Sequence, residues 1–220
     1  MMNDTDTLAA TADLATPALH ASPPQTLPFA PSLAVRAFLL ERDAGDILLY
    51  SNTELPEWLE AFGPPSRHYL NHGHEAMFPA VLRETPLFVH RADADAVGFT
   101  MHVRATFSRR HTLDDDFEAV PTPGHTPGAT AYLWQGGGRR YLFTGDTIHL
   151  DGDEWRAAVL GSSDRNAYLE SLELLRELDF DVLVPWAASR GAAYVAPTDR
   201  VDARRRIGEI IERVRDGATG

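Results

Sequence analysis

Pro123-Gly124-His125-Thr126-Pro127-Gly128 is the stretch that decides how this chain is read. Two prolines and two glycines around a single histidine fix a backbone shape that a plain solvent loop does not need. A histidine held so rigidly is a good metal ligand. Residues 117–120 read as a strand running into this loop, and residues 129–134 are apolar and β-prone on its far side. Gly136-Gly137-Gly138 then marks a turn, Tyr141-Leu142-Phe143 re-enters a sheet, and Thr144-Gly145-Asp146-Thr147 follows. Asp146 therefore sits on a tight turn directly after an apolar strand, where a carboxylate can be aimed at a site at the strand's end. An aspartate in such a turn can also do no more than hydrogen-bond its own backbone.

Upstream, a short strand over residues 68–70 leads into Asn71-His72-Gly73-His74. In an extended segment residues two apart point to the same side, so His72 and His74 can face one ion, with Gly73 letting the backbone bend close. Together with His125 and Asp146 they make three imidazoles and one carboxylate, a donor set suited to zinc or iron. The chain has no cysteine, which removes disulfides and thiolate ligands, so a metal site must be built from histidine, carboxylate and water. It also has no lysine, which excludes Schiff-base chemistry. A formal net charge of −12 argues against nucleic acid, which needs a basic face to neutralise its phosphates.

Farther out, residues 33–40 and 47–50 are β-rich runs around Arg42-Asp43-Ala44-Gly45-Asp46, the pattern of a hairpin. Pro56, with Trp58, Leu59 and Phe62 at helical spacing, predicts a helix stopped by Gly63, Pro64 and Pro65. Residues 86–90 read as a strand. From the N-cap candidates Ser163 and Asp164, the apolar Tyr168, Leu172, Leu175 and Leu178 predict an amphipathic helix. Residues 181–184 read as a buried strand, and Ile207, Ile210, Ile211 and Val214 predict a last helix ending near Gly217. Residues 1–31 are rich in Ala, Thr and Pro and read as a disordered tail; residues 32–220 form one domain of α/β (α+β) class. No signal-peptide pattern or membrane-length apolar run is present, which leads to the expectation of a cytoplasmic protein with no membrane partner.

The segments around His72, His125 and Asp146 resemble those of the metallo-β-lactamase superfamily, over residues 32–190. The surroundings of His125 and Asp146 resemble its hydrolase branch, which includes glyoxalase II-like enzymes. The resemblance implies a four-layer αββα sandwich, with His72, His74, His125 and Asp146 as metal ligands. It also implies losses. Ala76 stands where the family has an aspartate, Met77 where it has a further histidine, and Ala187 in the segment Pro185-Trp186-Ala187 that replaces the last histidine motif. The expected state is a degenerate centre that keeps one zinc, or alternatively iron, or no metal at all. Glu75 is not expected to replace the missing aspartate, because on an extended strand it points away from His74. His149, three residues beyond Asp146, is the histidine best placed to stand in for a lost ligand, and Trp186 can fill the space of the second metal. His68, His90, His102 and His111 have no motif of their own, and Asp114-Asp115-Asp116 reads as a solvated turn.

Three functions are compatible with this reading. The first is a mononuclear metal-dependent hydrolase of a small ester, thioester or lactone, with metal-activated water as nucleophile. The second is a mononuclear iron oxygenase resembling the persulfide dioxygenases of the same superfamily. The third is a non-catalytic protein that keeps the fold. A small-molecule partner is expected in the first two.

Overall fold

The structure, a computed structural model, describes residues 18–80 and 82–218. Its strands form three sheets. The first contains β1 (Leu19–Ala21), β4 (Phe38–Leu40), β5 (Ile47–Leu49), β6 (Arg67–Tyr69), β7 (Leu87–His90) and β8 (Val103–Phe107), in that order. The second runs β17 (Ala196–Pro197), β15 (Val182–Pro185), β12 (Arg139–Gly145), β11 (Thr130–Gly136), β10 (Phe117–Pro121), β9 (His111–Leu113). β10, β11 and β12 are antiparallel neighbours, as the turn signals predict, and β15 joins β12 in parallel.

Alternation along these strands builds the layers. Tyr132, Trp134, Tyr141, Phe143, Val182 and Val184 pack with Phe38, Ile47 and Leu49 between the two sheets. Their sequence neighbours Ala131, Leu142 and Leu183 face the other way, onto α3 (Arg165–Glu177) and α4 (Arg200–Arg215), which bury Leu172, Leu175, Ile207 and Ile211. This is the period-2 split expected of a strand with both faces covered. On the outside of the first sheet, Val97 of the short helix α2 (Ala94–Gly98) covers Leu87 and Val89. The result is the expected four-layer αββα order. Asp164 caps α3 by accepting from the backbone N–H groups of Asn166 and Ala167, as predicted. The helix expected over residues 56–62 is a single turn, α1 (Leu55–Trp58), continued as a 3-10 turn over Leu59–Ala61.

The third sheet, β14 (Glu154–Arg156), β13 (His149–Asp151), β16 (Ala187–Ser189), β3 (Ala30–Val35) and β2 (Gln25–Leu27), corrects the domain boundary. Residues 1–17 of the expected tail lie outside the described residues, but residues 18–31 are not a tail. β1 pairs with β4, and β2 pairs with β3. Pro23, Pro24 and Pro28 fall between strands, where a missing N–H costs no ladder bond, and Leu19 and Leu27 are buried. The run over residues 33–40 is likewise not one strand. It splits at Arg36 and Ala37, so that its first half joins the third sheet through β16 and its second half the first sheet through β5.

One residue ties the two main sheets together beneath the Asp146 turn. Tyr50 adopts φ 68°, a left-handed conformation that costs a side-chain-bearing residue energy. The His68 ring donates from Nε2 to its carbonyl at 2.8 Å, and its own hydroxyl donates to the Val184 carbonyl and accepts from Gly145 N–H.

Candidate metal centre

The chain leaves β6 at Tyr69, and His72 is the last extended residue before a 3-10 turn over Gly73–Met77. His74 therefore projects from the turn, not from a strand, which corrects the geometric basis of the pairing though not its outcome. The rings of His72, His74 and His125 converge edge to face, with centroids 4.9 to 5.4 Å apart. Each offers one nitrogen, and these three atoms all lie within 4.8 Å of one another. Asp146 stands beside two of them, its Oδ2 3.4 Å from His72 Nε2 and 3.6 Å from His125 Nε2. His72 and His125 are buried, and His74 is exposed on the open side.

Following the protons shows what the cluster lacks. His125 Nδ1 donates to the Ala158 carbonyl at 2.7 Å, so its Nε2 carries the lone pair. His72 Nδ1 donates to Asn71 Oδ1 at 3.1 Å, with Glu75 Oε1 at 3.3 Å, which leaves Nε2 as the lone-pair nitrogen facing Asp146. His72 Nε2 and Asp146 Oδ1 are buried without a hydrogen-bond partner. His74 Nδ1 is 3.0 Å from His125 Nε2. His72 Nε2, His125 Nε2 and the Asp146 carboxylate thus turn acceptors toward one point, an arrangement suited to a cation at its centre. Without a metal ion, a proton must serve. Burial opposes charge on His72, but the Asp146 carboxylate, reinforced by Glu75, overrides it and raises its pKa. Asp146 is lowered because His72 outweighs its own burial. His125 falls to about 4 through burial and the His72 charge, and burial also lowers His74 and His149. Three imidazoles and a carboxylate of this kind suit zinc or iron.

Residues outside the candidate ligand set hold its loops in place. Asp93, buried behind the two histidine loops, accepts from Gly73 N–H at 2.7 Å, the Thr126 hydroxyl at 2.6 Å and Gly128 N–H at 2.8 Å. It locks the His74 turn to the His125 loop. Glu75 is fully buried and accepts from the backbone N–H of Asn71 and His72, so it braces His72 and does not reach the centre. The Asn71 amide donates to the Thr130 carbonyl, joining the end of β6 to the start of β11. Gly124 has φ 139°, and a Cβ there would lie 2.4 Å from Tyr168 Cα, which is why α3 can press onto the loop. The Tyr168 hydroxyl accepts from Ala158 N–H and lies 2.9 and 2.8 Å from the Asp146 and Thr147 carbonyls. Periodicity marks Tyr168 only as core, and nothing in the sequence around Asp93 marks it at all.

The centre opens into a cavity of about 570 Å³ lined in part by His74, His125, Asp146 and His149. Ala76, Met77 and Ala187 are on its wall and offer no ligand atom. Trp186 packs edge to face on His72 at 5.2 Å and donates to the Ser51 carbonyl. Of the other histidines, His68 is buried against Tyr50, His90 accepts from Ala92 N–H, and His111 bonds the Arg109 carbonyl. Asp114 and Asp116 are not simply solvated, since both pair with Arg42.

The model of the metallo-beta-lactamase superfamily matches residues 54–187, more than half of the chain. The chain belongs to the metallo-beta-lactamase superfamily. No curated protein matches it by sequence. Among solved structures it is similar to the MIM-2 metallo-beta-lactamase, with TM-score 0.60, 16% identity and 83% of each chain covered. It is also similar to the metallo-beta-lactamase GOB-18 from Elizabethkingia meningoseptica, with TM-score 0.58, 15% identity, and 84% of this chain and 88% of that one covered. A third is AidC, a dizinc quorum-quenching lactonase in complex with a product, with TM-score 0.55, 14% identity, and 90% of this chain and 83% of that one covered. At these identities the likeness establishes the superfamily's fold. Among the described residues, no helix is long and apolar enough to cross a membrane.

Proposed function

We propose that this protein is a mononuclear metal-dependent hydrolase that cleaves a small ester, thioester or lactone, with zinc held by His72, His74, His125 and Asp146. The observation that carries the reading is the convergence of three imidazoles and a carboxylate on one point at the head of a cavity. A bound divalent ion there would polarise the substrate carbonyl and lower the pKa of a bound water to about 7. The chain's own groups do the rest. Ala158 and Asn71 accept the Nδ1 protons of His125 and His72 and so keep each Nε2 free. Asp146 retains Oδ1 without a hydrogen-bond partner as an acceptor for a water proton. Ala76, Met77 and Ala187 supply no donor for a second ion, which supports one metal per chain.

Elemental analysis of protein purified without added metal tests this, together with 4-nitrophenyl acetate and γ-butyrolactone hydrolysis. Near one equivalent of zinc, lost with the hydrolysis in His125→Ala and Asp146→Ala, is the expected result. Two equivalents would overturn the single site. Iron with substrate-dependent oxygen uptake would shift the assignment to the oxygenase class. Protein that takes up neither metal would be a retired scaffold.

A further inference from the structure

The wall of the cavity beyond the histidines is unusually apolar. Leu27, Phe29 and Leu33 come from the β2–β3 hairpin, Met77 from the His74 turn, Leu160 from the loop before α3, and Trp186 from the floor. Five large hydrophobic side chains are exposed among the described residues, and three of them surround this one opening: Phe29 at 72%, Leu160 at 44% and Met77 at 41%. Exposed apolar residues scattered singly need no explanation, but a cluster at the mouth of a cavity marks a binding surface. The charge inventory is equally one-sided. Among the described residues no arginine lines the cavity and Asp146 is the only carboxylate on its wall, and the chain has no lysine. An anionic group on the tail of a substrate, lying beyond the histidines, would therefore meet no arginine or lysine on the described wall, in a chain of net charge −12.

We infer that the cavity binds the apolar arm of an uncharged substrate, a straight acyl or alkyl chain carried by a neutral ester or lactone, and that Phe29 and Leu27 set the length accepted. This rests on the hydrolase reading only for the placing of the scissile carbonyl. The hairpin that carries both residues lies before residue 54, where the superfamily match begins, so this wall belongs to the part of the chain outside that match.

The experiment is calorimetric titration of the full-length, metal-free protein with butanamide, hexanamide and octanamide, and with the anionic six-carbon monoamide of adipic acid. Metal-loaded protein is assayed in parallel on 4-nitrophenyl acetate and octanoate. Affinity should rise about fourfold per buried methylene, hence about 15-fold from hexanamide to octanamide. The anionic amide should bind at least about tenfold more weakly than hexanamide. Phe29→Ala, a change at an exposed position that the fold tolerates, should weaken octanamide several-fold while leaving butanamide within about twofold. Affinity independent of chain length, equal binding of the anionic amide, or an unchanged octanamide affinity in Phe29→Ala would each overturn the inference. Length-dependent amide binding without ester hydrolysis upholds it and sinks the hydrolase assignment. Hydrolysis indifferent to chain length does the reverse.

Discussion

Asp93→Asn should loosen the metal centre without touching a ligand. The carboxylate accepts three hydrogen bonds, from Gly73 N–H and the Thr126 hydroxyl at Oδ2 and from Gly128 N–H at Oδ1, at 2.6 to 2.8 Å. An asparagine can keep its oxygen toward the first two, but its NH₂ then meets the Gly128 N–H, donor against donor. The two surviving bonds lose charge assistance, roughly 1 kcal/mol each, and the orphaned buried N–H costs about 2 kcal/mol more. The sum is about 4 kcal/mol, a large share of the 5–15 kcal/mol typical of a folded domain. Because Asp93 pins the His74 turn to the His125 loop, zinc affinity should fall about 10- to 100-fold as well. Urea unfolding followed by tryptophan fluorescence gives the first quantity, and competition with a chelating dye the second. A loss below about 1 kcal/mol with zinc affinity intact would refute the role of Asp93 as the clamp between the loops. Gly128→Ala is an independent check, since its Cβ would fall 2.6 Å from Asp93 Cγ and should give the same double defect.

Gly145→Ala should cost about 3 kcal/mol, because φ is 57° there and a Cβ would sit 1.9 Å from Asn71 Oδ1; zinc binding should fail with it, which titration of the purified variant reads directly. Tyr168→Phe should lose about 1 kcal/mol in chemical denaturation, because Ala158 N–H keeps only its 3.3 Å bond to the Asp146 carbonyl, and should weaken zinc binding because the Ala158 carbonyl orients His125; wild-type affinity in the variant would contradict that link. His68 provides the pH test. Burial holds its folded pKa at about 4 against an ordinary 6.5, so the unfolded chain binds the extra proton first as pH falls. Stability attributable to His68 is complete above pH 6.5 and drains away on the way down to about pH 4, by on the order of 3 kcal/mol. His68→Gln should flatten that limb in unfolding midpoints measured from pH 7 to 4, and an equally steep limb in the variant would remove His68 as its source.

The sequence alone determined the elements with strong local signals and the candidate ligands tied to them. Loop 123–128 and the turn at Asp146 were legible because proline and glycine restrict the backbone wherever they occur, independent of what packs around them. The apolar runs of β10, β11, β12 and β15 were legible because strands covered on both faces are apolar throughout, and the stripes of α3 and α4 because burial on one face of a helix imposes a period. His72 and His74 were found for partly the wrong reason, since a strand and a short 3-10 turn both leave the two rings on one side. Only the tertiary structure decided what lies at long sequence separation. Residues 18–31 join sheets because β4, β3 and their neighbours offer open ladder positions, which composition cannot reveal and which proline-rich composition argues against. Asp93 reaches the Gly73 turn and the 126–128 loop across 20 to 35 residues of chain, with no local pattern to announce it. The apolar mouth gathers Phe29, Met77 and Leu160 from three separate segments, each unremarkable until folding places them around one opening. Ligand identity is a property of residue type and backbone, whereas ligand support and substrate choice come from side chains brought together only by the packing of the sheets.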